Sequence, residues 1–316
     1  MPTHGSSELL AGFFQSGQKR GRRRNGVSSI HGKNSFLSKD YYRYGQVSKG
    51  SLDGFNIFII SLKRATLLSM NLEKPKDQLL KEKYEGVESE AFHADCVRLE
   101  TGEPYEYVLG YVDFLGAHID LSFKPMIPRP ETAFWVQKAI EELKQQDQPL
   151  RLADTFAGAG NVGLALLTNL PNASVDISEL DPALAPQIEK NLELNHIAPE
   201  RAHVIAASAL EGLTGTYDAI LAVPPYVPYA ALPDLDPEMR DHEPHLAFFA
   251  HDDGHEFHKI LIEKAYELLV PGGTLYMEAD FDHNEAITKL VEGTPWKSLE
   301  FWPDPYGATP NVVLRK

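Results

Sequence analysis

From residue 150 onward the sequence alternates short apolar runs with amphipathic segments of helical period. Such apolar runs predict buried strands of a parallel sheet, and the segments between them predict the helices that connect such strands. The predicted strands are RLADTF, ASVDISEL, AHVIAAS, DAILAV, TLYMEAD, SLEFWP and NVVLRK. This alternation predicts an α/β fold with a doubly wound, mostly parallel sheet of seven strands.

The residues before this region divide the chain further. A helical period covers 74–98, and 101–123 predicts a helix start followed by a hairpin that turns at Gly116. The apolar face of the first segment is predicted as Leu79, Leu80, Tyr84, Val87, Ala91 and Val97. We therefore predict a basic extension (1–69), a short helical domain (70–100), a linker with a hairpin and a proline-rich loop (101–132), and the main domain (133–316).

Charge is spread unevenly along the chain. The net charge is −15, but residues 1–69 hold 11 basic and 3 acidic residues, so this segment carries +8 and the remainder −23. The extension has no regular period, which predicts disorder. A nucleic-acid arm, a transit peptide and a ribosome-docking tail remain open, as does a true start at Met70 that leaves 1–69 without a function. The acidic body argues against a nucleic-acid partner, because phosphates repel it.

Cysteine content and hydropathy limit the compartment and the class of protein. Cys96 is the single cysteine, which excludes a disulfide framework and a cysteine zinc site. No apolar run approaches the roughly 20 residues that span a bilayer. We expect a cytoplasmic monomer that does not bind membranes, or an organellar protein if 1–69 is a transit peptide.

Candidate binding residues stand at the carboxyl ends of the first four predicted strands, where ligands of open α/β sheets bind. The first strand leads into DTFAGAGN, in which Gly158 and Gly160 permit close backbone approach. Glu179 ends the second strand about 20 residues later, a spacing suited to a ribose-binding acid. Ser208 ends the third strand, and VPPY (223–226) ends the fourth. Together these features predict a nucleoside ligand.

Several motifs resemble the HemK/PrmC family of class I methyltransferases, from about Gly102 to Lys316. They are GEPYEYVLGYVDFLG, IPRPET, an EP…LA…DG…F pattern after the fourth strand, and PGGTLYMEAD. The resemblance implies a Rossmann-like methyltransferase fold with a short amino-terminal helical segment and a linker β-hairpin. It also implies S-adenosylmethionine as the cofactor and a glutamine of a peptide chain release factor as the methyl acceptor. Cofactor binding is then expected from Asp154, Phe156, Gly158, Gly160, Glu179 and Ser208, acceptor binding from Arg129, Glu131, Pro224, Pro225 and Tyr226, and catalysis from Val223, Pro224 and Tyr226.

Three positions depart from the family pattern. The fourth strand of the family ends in Asn-Pro-Pro-Tyr, and Val223 replaces the asparagine; Phe156 replaces a loop glycine, and Ser208 replaces an acid expected near the adenine. In the family the asparagine and a proline carbonyl accept the two hydrogens of the substrate amide, so this clamp is half missing here. Two alternatives stay open: a non-catalytic binding module, and a methyltransferase with another acceptor such as nucleic acid.

Two polar clusters are assigned no ligand. His251, His255 and His258 stand near a helix start, but no metal site is expected, since the family motif explains this stretch without metal. The acidic residues Asp234, Asp236, Glu238 and Asp241 are expected to form a solvated loop that covers the site.

Overall fold

The computed structural model describes residues 73–303 and 311–316, so the predictions for 1–69 lie outside the described residues. Three helices open the described chain: α1 (Glu73–Glu82), α2 (Glu90–Glu100) and α3 (Tyr105–Leu109). They share a small apolar core formed by Leu79, Phe92, Cys96, Leu99 and Val108. The helical amino-terminal region is thus present, with Cys96 as a buried core residue.

The helical region predicted over 74–98 consists of two helices, because the chain breaks between α1 and α2. Glu85 and Gly86 both have positive φ, 52° and 81°, a conformation that ends a helix and that glycine favours. Val87 is consequently 66% exposed, and Val97 is 56% exposed on α2. The predicted apolar face therefore holds for Leu79, and for Leu80 and Tyr84, which pack half-buried against the same core. It fails for Val87, Ala91 and Val97, which are exposed.

The linker is a hairpin, as predicted. Strand β1 (Tyr111–Phe114) pairs antiparallel with β2 (Ala117–Asp120). Leu115 and Gly116 form the turn, with φ of 49° and 91°. Positive φ at both central residues is typical of a type I′ turn, whose twist matches that of the paired strands. Helix α4 (Pro130–Leu143) begins within the IPRPET motif at Pro130, because proline suits the first helical position.

The seven-stranded sheet is confirmed. Its order is β10-β11-β9-β6-β3-β4-β5, and only β11 runs antiparallel to its neighbours. The strands are β3 (Leu150–Thr155), β4 (Ala173–Glu179), β5 (Ala202–Ala206), β6 (Tyr217–Ala222), β9 (Leu269–Glu278), β10 (Ser298–Trp302) and β11 (Asn311–Arg315). A two-residue pair, β7 (Val227–Pro228) with β8 (Phe249–Ala250), follows the VPPY turn.

Helices cover both faces of the sheet, because the strands are apolar on both sides. Leu152 packs into one core with Trp135, while the adjacent Ala153 packs into the other core with Leu261. The connecting helices are α5 (Asn161–Asn169), α6 (Ala185–Leu194), α7 (Pro237–His242), α8 (Glu256–Leu268) and α9 (Asn284–Val291). None of the described helices is both long and apolar enough to cross a bilayer.

Candidate active site

One pocket opens beyond the carboxyl ends of β3, β4, β5 and β6, where the sequence predicts a ligand. Its lining includes the predicted cofactor residues Phe156, Gly158, Glu179 and Ser208, and also Arg129, Val223 and Pro225. Apolar side chains form much of the remaining wall, among them Met126, Ile127, Val162, Leu180, Leu184 and Phe257. The fold therefore brings seven of the predicted site residues to one cavity.

Glu179 and Asp181 are the acidic residues that line this pocket, and backbone hydrogen bonds fix the orientation of Glu179. Its Oε2 accepts a bond from Gly158 N at 2.7 Å, and Oε1 accepts one from Asp181 N at 2.8 Å. The residue is 8% exposed. Each carboxylate oxygen retains a second lone pair, so Glu179 can accept hydrogen bonds from a bound diol as well.

The two loop glycines have different roles. A Cβ placed on Gly158 would meet nothing within 4 Å, so its backbone is open to a ligand, whereas one on Gly160 would lie 3.0 Å from Ile188 and from Leu164. Gly160 does not line the pocket, and its N–H bonds Ala157 O at 2.7 Å. Gly158 permits close approach to the backbone, while Gly160 packs α6 against the loop.

Asp154 lies beneath the loop instead of in the pocket, contrary to its predicted cofactor contact. It is fully buried, its Oδ2 accepts a bond from Gly163 N at 2.7 Å, and Oδ1 has no partner among the described residues. Burial raises the pKa of Asp154 from 3.8 to about 7, and the charge of Glu179 adds to this rise. Asp154 therefore holds the start of α5 against the strand.

We expect Asp154→Asn to change how stability depends on pH. Between pH 4 and 7 folded Asp154 keeps a proton that the unfolded chain has released, so ionisation makes wild type less stable as pH rises. Asparagine cannot ionise and still accepts from Gly163. From pH 4.5 to pH 8, urea unfolding should show the variant gaining about 2–4 kcal/mol relative to wild type.

The exposed acid Asp147 supplies the control for this experiment. Asp147→Asn should keep the pH profile of wild type. Parallel profiles for wild type and Asp154→Asn would contradict the assigned burial of a protonated Asp154.

Phe156 narrows the pocket at the position where the family has glycine. Its φ is +62°, a left-handed conformation that is unfavourable for a bulky residue. Its ring meets Phe257 edge to face, with the centroids 5.2 Å apart. This aromatic contact compensates part of the backbone cost. Ser208 lines the same pocket near Ala209, and it carries no charge there.

The VPPY turn forms an elbow at the edge of the pocket. Val223 is half-buried and its N–H lies 3.5 Å from Thr155 O, while Pro224 and Pro225 are buried. The Pro224 carbonyl accepts no hydrogen bond from any described residue. This is compatible with the acceptor role that the resemblance implies for it.

Tyr226 is held from behind by Glu278 at the end of β9. The Tyr226 hydroxyl donates to Glu278 Oε1 at 3.1 Å, and burial raises the pKa of Tyr226 well above its ordinary value. The other oxygen of Glu278 accepts from Thr132 at 2.7 Å and from the Trp135 ring N–H at 2.8 Å. Tyr226 does not line the pocket, unlike Val223 and Pro225 of the same turn.

The IPRPET loop is joined to the segment after the elbow by a partly buried ion pair. Arg129 bonds Oε1 of Glu243, and Oε2 of Glu243 accepts from Ile127 N at 2.9 Å. Glu243 is 5% exposed. Glu131 does not line the pocket, although its charge acts on both Tyr226 and Glu278.

The acidic loop after the elbow is only partly solvated, which corrects the expectation for Asp236 and Glu238. Asp236 is 8% exposed and caps α7 by accepting from Glu238 N at 2.9 Å. Burial raises the pKa of Glu238 to about 7, with the nearby carboxylate of Glu106 adding to the rise. Asp234 and Asp241 are exposed as predicted.

Three residues of this region are not in the predicted site: Glu278, Glu243 and His283. Glu278 ends a strand that neighbours β6, and Glu243 begins the EP motif, so their positions carried a usable signal. The sequence around His283 offers no comparable signal. Its proximity to Tyr226, with ring centroids 6.3 Å apart, follows only from the fold.

Comparison with known proteins agrees with this geometry. Residues 137–233 match the family model described as "Methyltransferase small domain". A release factor glutamine methyltransferase of Bradyrhizobium diazoefficiens is 36% identical over 197 residues, which cover 60% of this chain and 64% of that protein. The chain thus spans just under two thirds of that relative's length.

A second relative is matched over more of its length. The release factor glutamine methyltransferase of Deinococcus radiodurans is 30% identical over 232 residues, covering 73% of this chain and 81% of that protein. Among solved structures, the ribosomal protein L11 methylase of Lactobacillus delbrueckii subsp. bulgaricus is 18% identical, with a TM-score of 0.46, covering 63% of this chain and 84% of that chain. The sequence matches confirm the predicted resemblance. The chain belongs to the release factor glutamine methyltransferase family, which is the HemK/PrmC family of class I methyltransferases.

Proposed function

We propose that this chain transfers a methyl group from S-adenosylmethionine to the side-chain amide nitrogen of a glutamine in a peptide chain release factor. One observation carries the proposal. The cofactor pocket and the VPPY elbow share Val223 and Pro225, so a methyl donor in the pocket adjoins an acceptor held at the elbow. The release factor as substrate is taken from the names of the relatives.

The residues that line the pocket are compatible with the chemistry of the proposed cofactor. Gly158 leaves room for a ligand against the backbone, and Glu179 supplies acceptors for ribose hydroxyls. Leu180 and Phe257 supply apolar surface for the adenine. When bound, S-adenosylmethionine supplies an electrophilic methyl group carried on a sulfonium.

The elbow accounts for the positioning of the acceptor. An amide nitrogen is a poor nucleophile because its lone pair is delocalised into the carbonyl group. The Pro224 carbonyl accepts one N–H of the acceptor amide and fixes its orientation, and the two prolines keep this carbonyl in place. The Tyr226 ring is fixed through Glu278 and supports the elbow from the other side. Val223 provides no second acceptor, so we expect slow turnover.

A non-catalytic role is the second candidate, and Val223 is the observation that favours it. Valine, Phe156 and Ser208 together weaken both the amide clamp and the cofactor side of the site. A nucleic-acid acceptor is disfavoured, since the chain after residue 69 carries −23.

Cofactor binding gives the first test. Calorimetry with the full chain should show S-adenosylmethionine binding, and Glu179→Ala should weaken it about 10–100-fold, because charge-assisted hydrogen bonds to the ribose are lost. Glu189→Ala removes an exposed carboxylate on α6 and should leave the affinity unchanged. Equal affinity in both variants would argue against Glu179 as the ribose ligand.

Methylation of the acceptor gives the second test. Incubation with S-adenosylmethionine and a release factor should add one methyl group to a glutamine, located by mass spectrometry of peptides. Cofactor binding without any transfer, at high enzyme concentration and long times, would favour the non-catalytic role.

A further inference from the structure

Three histidines converge behind the elbow, outside the cofactor pocket. His255 precedes α8, His258 lies in its first turn, and His283 belongs to the turn after β9. The ring centroids are 4.2 Å apart for His255 and His283, 5.5 Å for His258 and His283, and 6.0 Å for His255 and His258. One nitrogen from each ring lies within 4.8 Å of the other two.

The hydrogen bonds of His258 leave one nitrogen free for a ligand. Its Nε2 lies 2.9 Å from the carbonyl oxygen of Glu278, which can only accept, so Nε2 carries the proton of the neutral ring. The Gly254 carbonyl also lies near this ring, but Nδ1 is buried and has no hydrogen-bond partner among the described residues. A metal-binding histidine usually donates a hydrogen bond from one ring nitrogen to a backbone carbonyl or carboxylate and binds the metal through the other nitrogen. His258 has this arrangement.

The other two histidines are compatible with the same role. Nδ1 of His255 is likewise buried without a described partner. Nδ1 of His283 lies 3.4 Å from the backbone nitrogen of Asp280, and Nε2 lies 3.7 Å from Asp282 Oδ1. Both contacts of His283 are longer than ordinary hydrogen bonds. A cation can therefore bind Nδ1 in place of the contact with Asp280, while the Asp282 carboxylate remains beside Nε2 and orients the ring.

We propose that His255, His258 and His283 bind a transition-metal cation of the Zn²⁺ class. Neutral imidazole nitrogens without sulfur suit Zn²⁺, Co²⁺, Ni²⁺ or Cu²⁺, and three protein ligands leave one position for water. With metal–nitrogen bonds of about 2.0–2.1 Å, tetrahedral ligands lie about 3.3–3.5 Å apart, so binding draws the rings together by about 1 Å. His255 is only half-buried, which opens a route from solvent. This site differs from the cluster considered in the sequence, because His283 takes the place of His251.

The position of this cluster gives the cation a structural role at the elbow. The Tyr226 ring stacks on His258 with centroids 6.5 Å apart and meets His283 edge to face at 6.3 Å. Glu278 bonds the cluster through its carbonyl and Tyr226 through its carboxylate. A bound cation therefore steadies Tyr226, and it does not contact the cofactor pocket.

Co²⁺ titration of the untagged full chain tests the proposal, since Co²⁺ in a low-coordinate nitrogen site absorbs visible light far more strongly than Co²⁺ in water. We expect one equivalent to give the strong absorption and Zn²⁺ to abolish it by displacement. In His255→Gln and in His283→Gln, the visible absorption at one equivalent of Co²⁺ should be at least 10-fold weaker than in wild type. His251→Gln, which changes an exposed histidine near the same helix start, should keep it.

The possible results distinguish a metal-binding site from a cluster of buried histidines that binds no metal. Circular dichroism and urea unfolding verify that the variants fold, and the half-buried His255 is the safer substitution. A weak spectrum typical of aqueous Co²⁺, or a strong spectrum that persists in both His→Gln variants, would overturn the proposal. The titration contains neither S-adenosylmethionine nor an acceptor, so its result is independent of the proposed methyl transfer.

Discussion

Val223→Asn should raise the rate of methyl transfer to a release-factor glutamine by about 10²–10³-fold. The wild-type elbow offers one acceptor, the Pro224 carbonyl, and asparagine adds a side-chain oxygen for the second amide hydrogen. One hydrogen-bonding group in a preorganised site is worth about 3–4 kcal/mol in the transition state. Val223 is half-buried at the pocket wall, so the slightly longer asparagine has space.

The comparison requires a variant of similar size without an acceptor. Val223→Leu supplies it, and this variant should transfer no faster than wild type. The rate is measured as radiolabelled methyl incorporation at saturating S-adenosylmethionine, so that changes in cofactor affinity do not contribute. If Val223→Asn binds cofactor normally but shows no gain over Val223→Leu, the non-catalytic role becomes the better account of this chain.

Much of the site can be predicted from the sequence, because parallel strands place their carboxyl ends together. That rule alone predicts that Glu179, Ser208 and Val223 lie close together, and in the structure all three line the same pocket. The same rule misplaces Asp154. Asp154 still belongs to β3, and its side chain bonds the buried start of α5. Phe156 lies beyond the end of the strand, where its positive φ turns the chain toward the pocket.

Contacts between distant elements account for what the sequence misses. Glu278 meets Tyr226 across 52 residues and Thr132 across 146, so its place at a strand end predicts that it lies near the site but not which residues it contacts. His283 reaches His255 and His258 only because β9 returns the chain beside α8. The apolar period over 74–98 does not locate the break between α1 and α2, although Gly86 is the kind of residue that ends a helix.

Gly254→Ala should disable the elbow while leaving the cofactor pocket in place. Gly254 has a φ of +89°, and a Cβ there would lie 2.2 Å from the Tyr226 carbonyl oxygen and 3.1 Å from its carbon. The backbone of Tyr226 cannot move easily out of the way. Pro225 restricts it on one side, and on the other Val227 N bonds Phe248 O at 2.8 Å. We expect the free energy of unfolding to fall by about 3 kcal/mol or more, from backbone strain and overpacking together.

Gly272→Ala is the matched control, since its φ is +86° and a Cβ would meet nothing within 4 Å. It carries the same backbone strain without the clash, so it should cost only about 1–2 kcal/mol. Urea unfolding of both variants isolates the effect of the clash, and calorimetry should find S-adenosylmethionine affinity nearly unchanged in folded Gly254→Ala. Methyl transfer by this variant should then fall by more than about 10²-fold, because a displaced elbow carbonyl no longer orients the acceptor amide. Equal stability of the two variants would mean that the turn at Gly254 relaxes away from Tyr226, and the elbow would not depend on this contact.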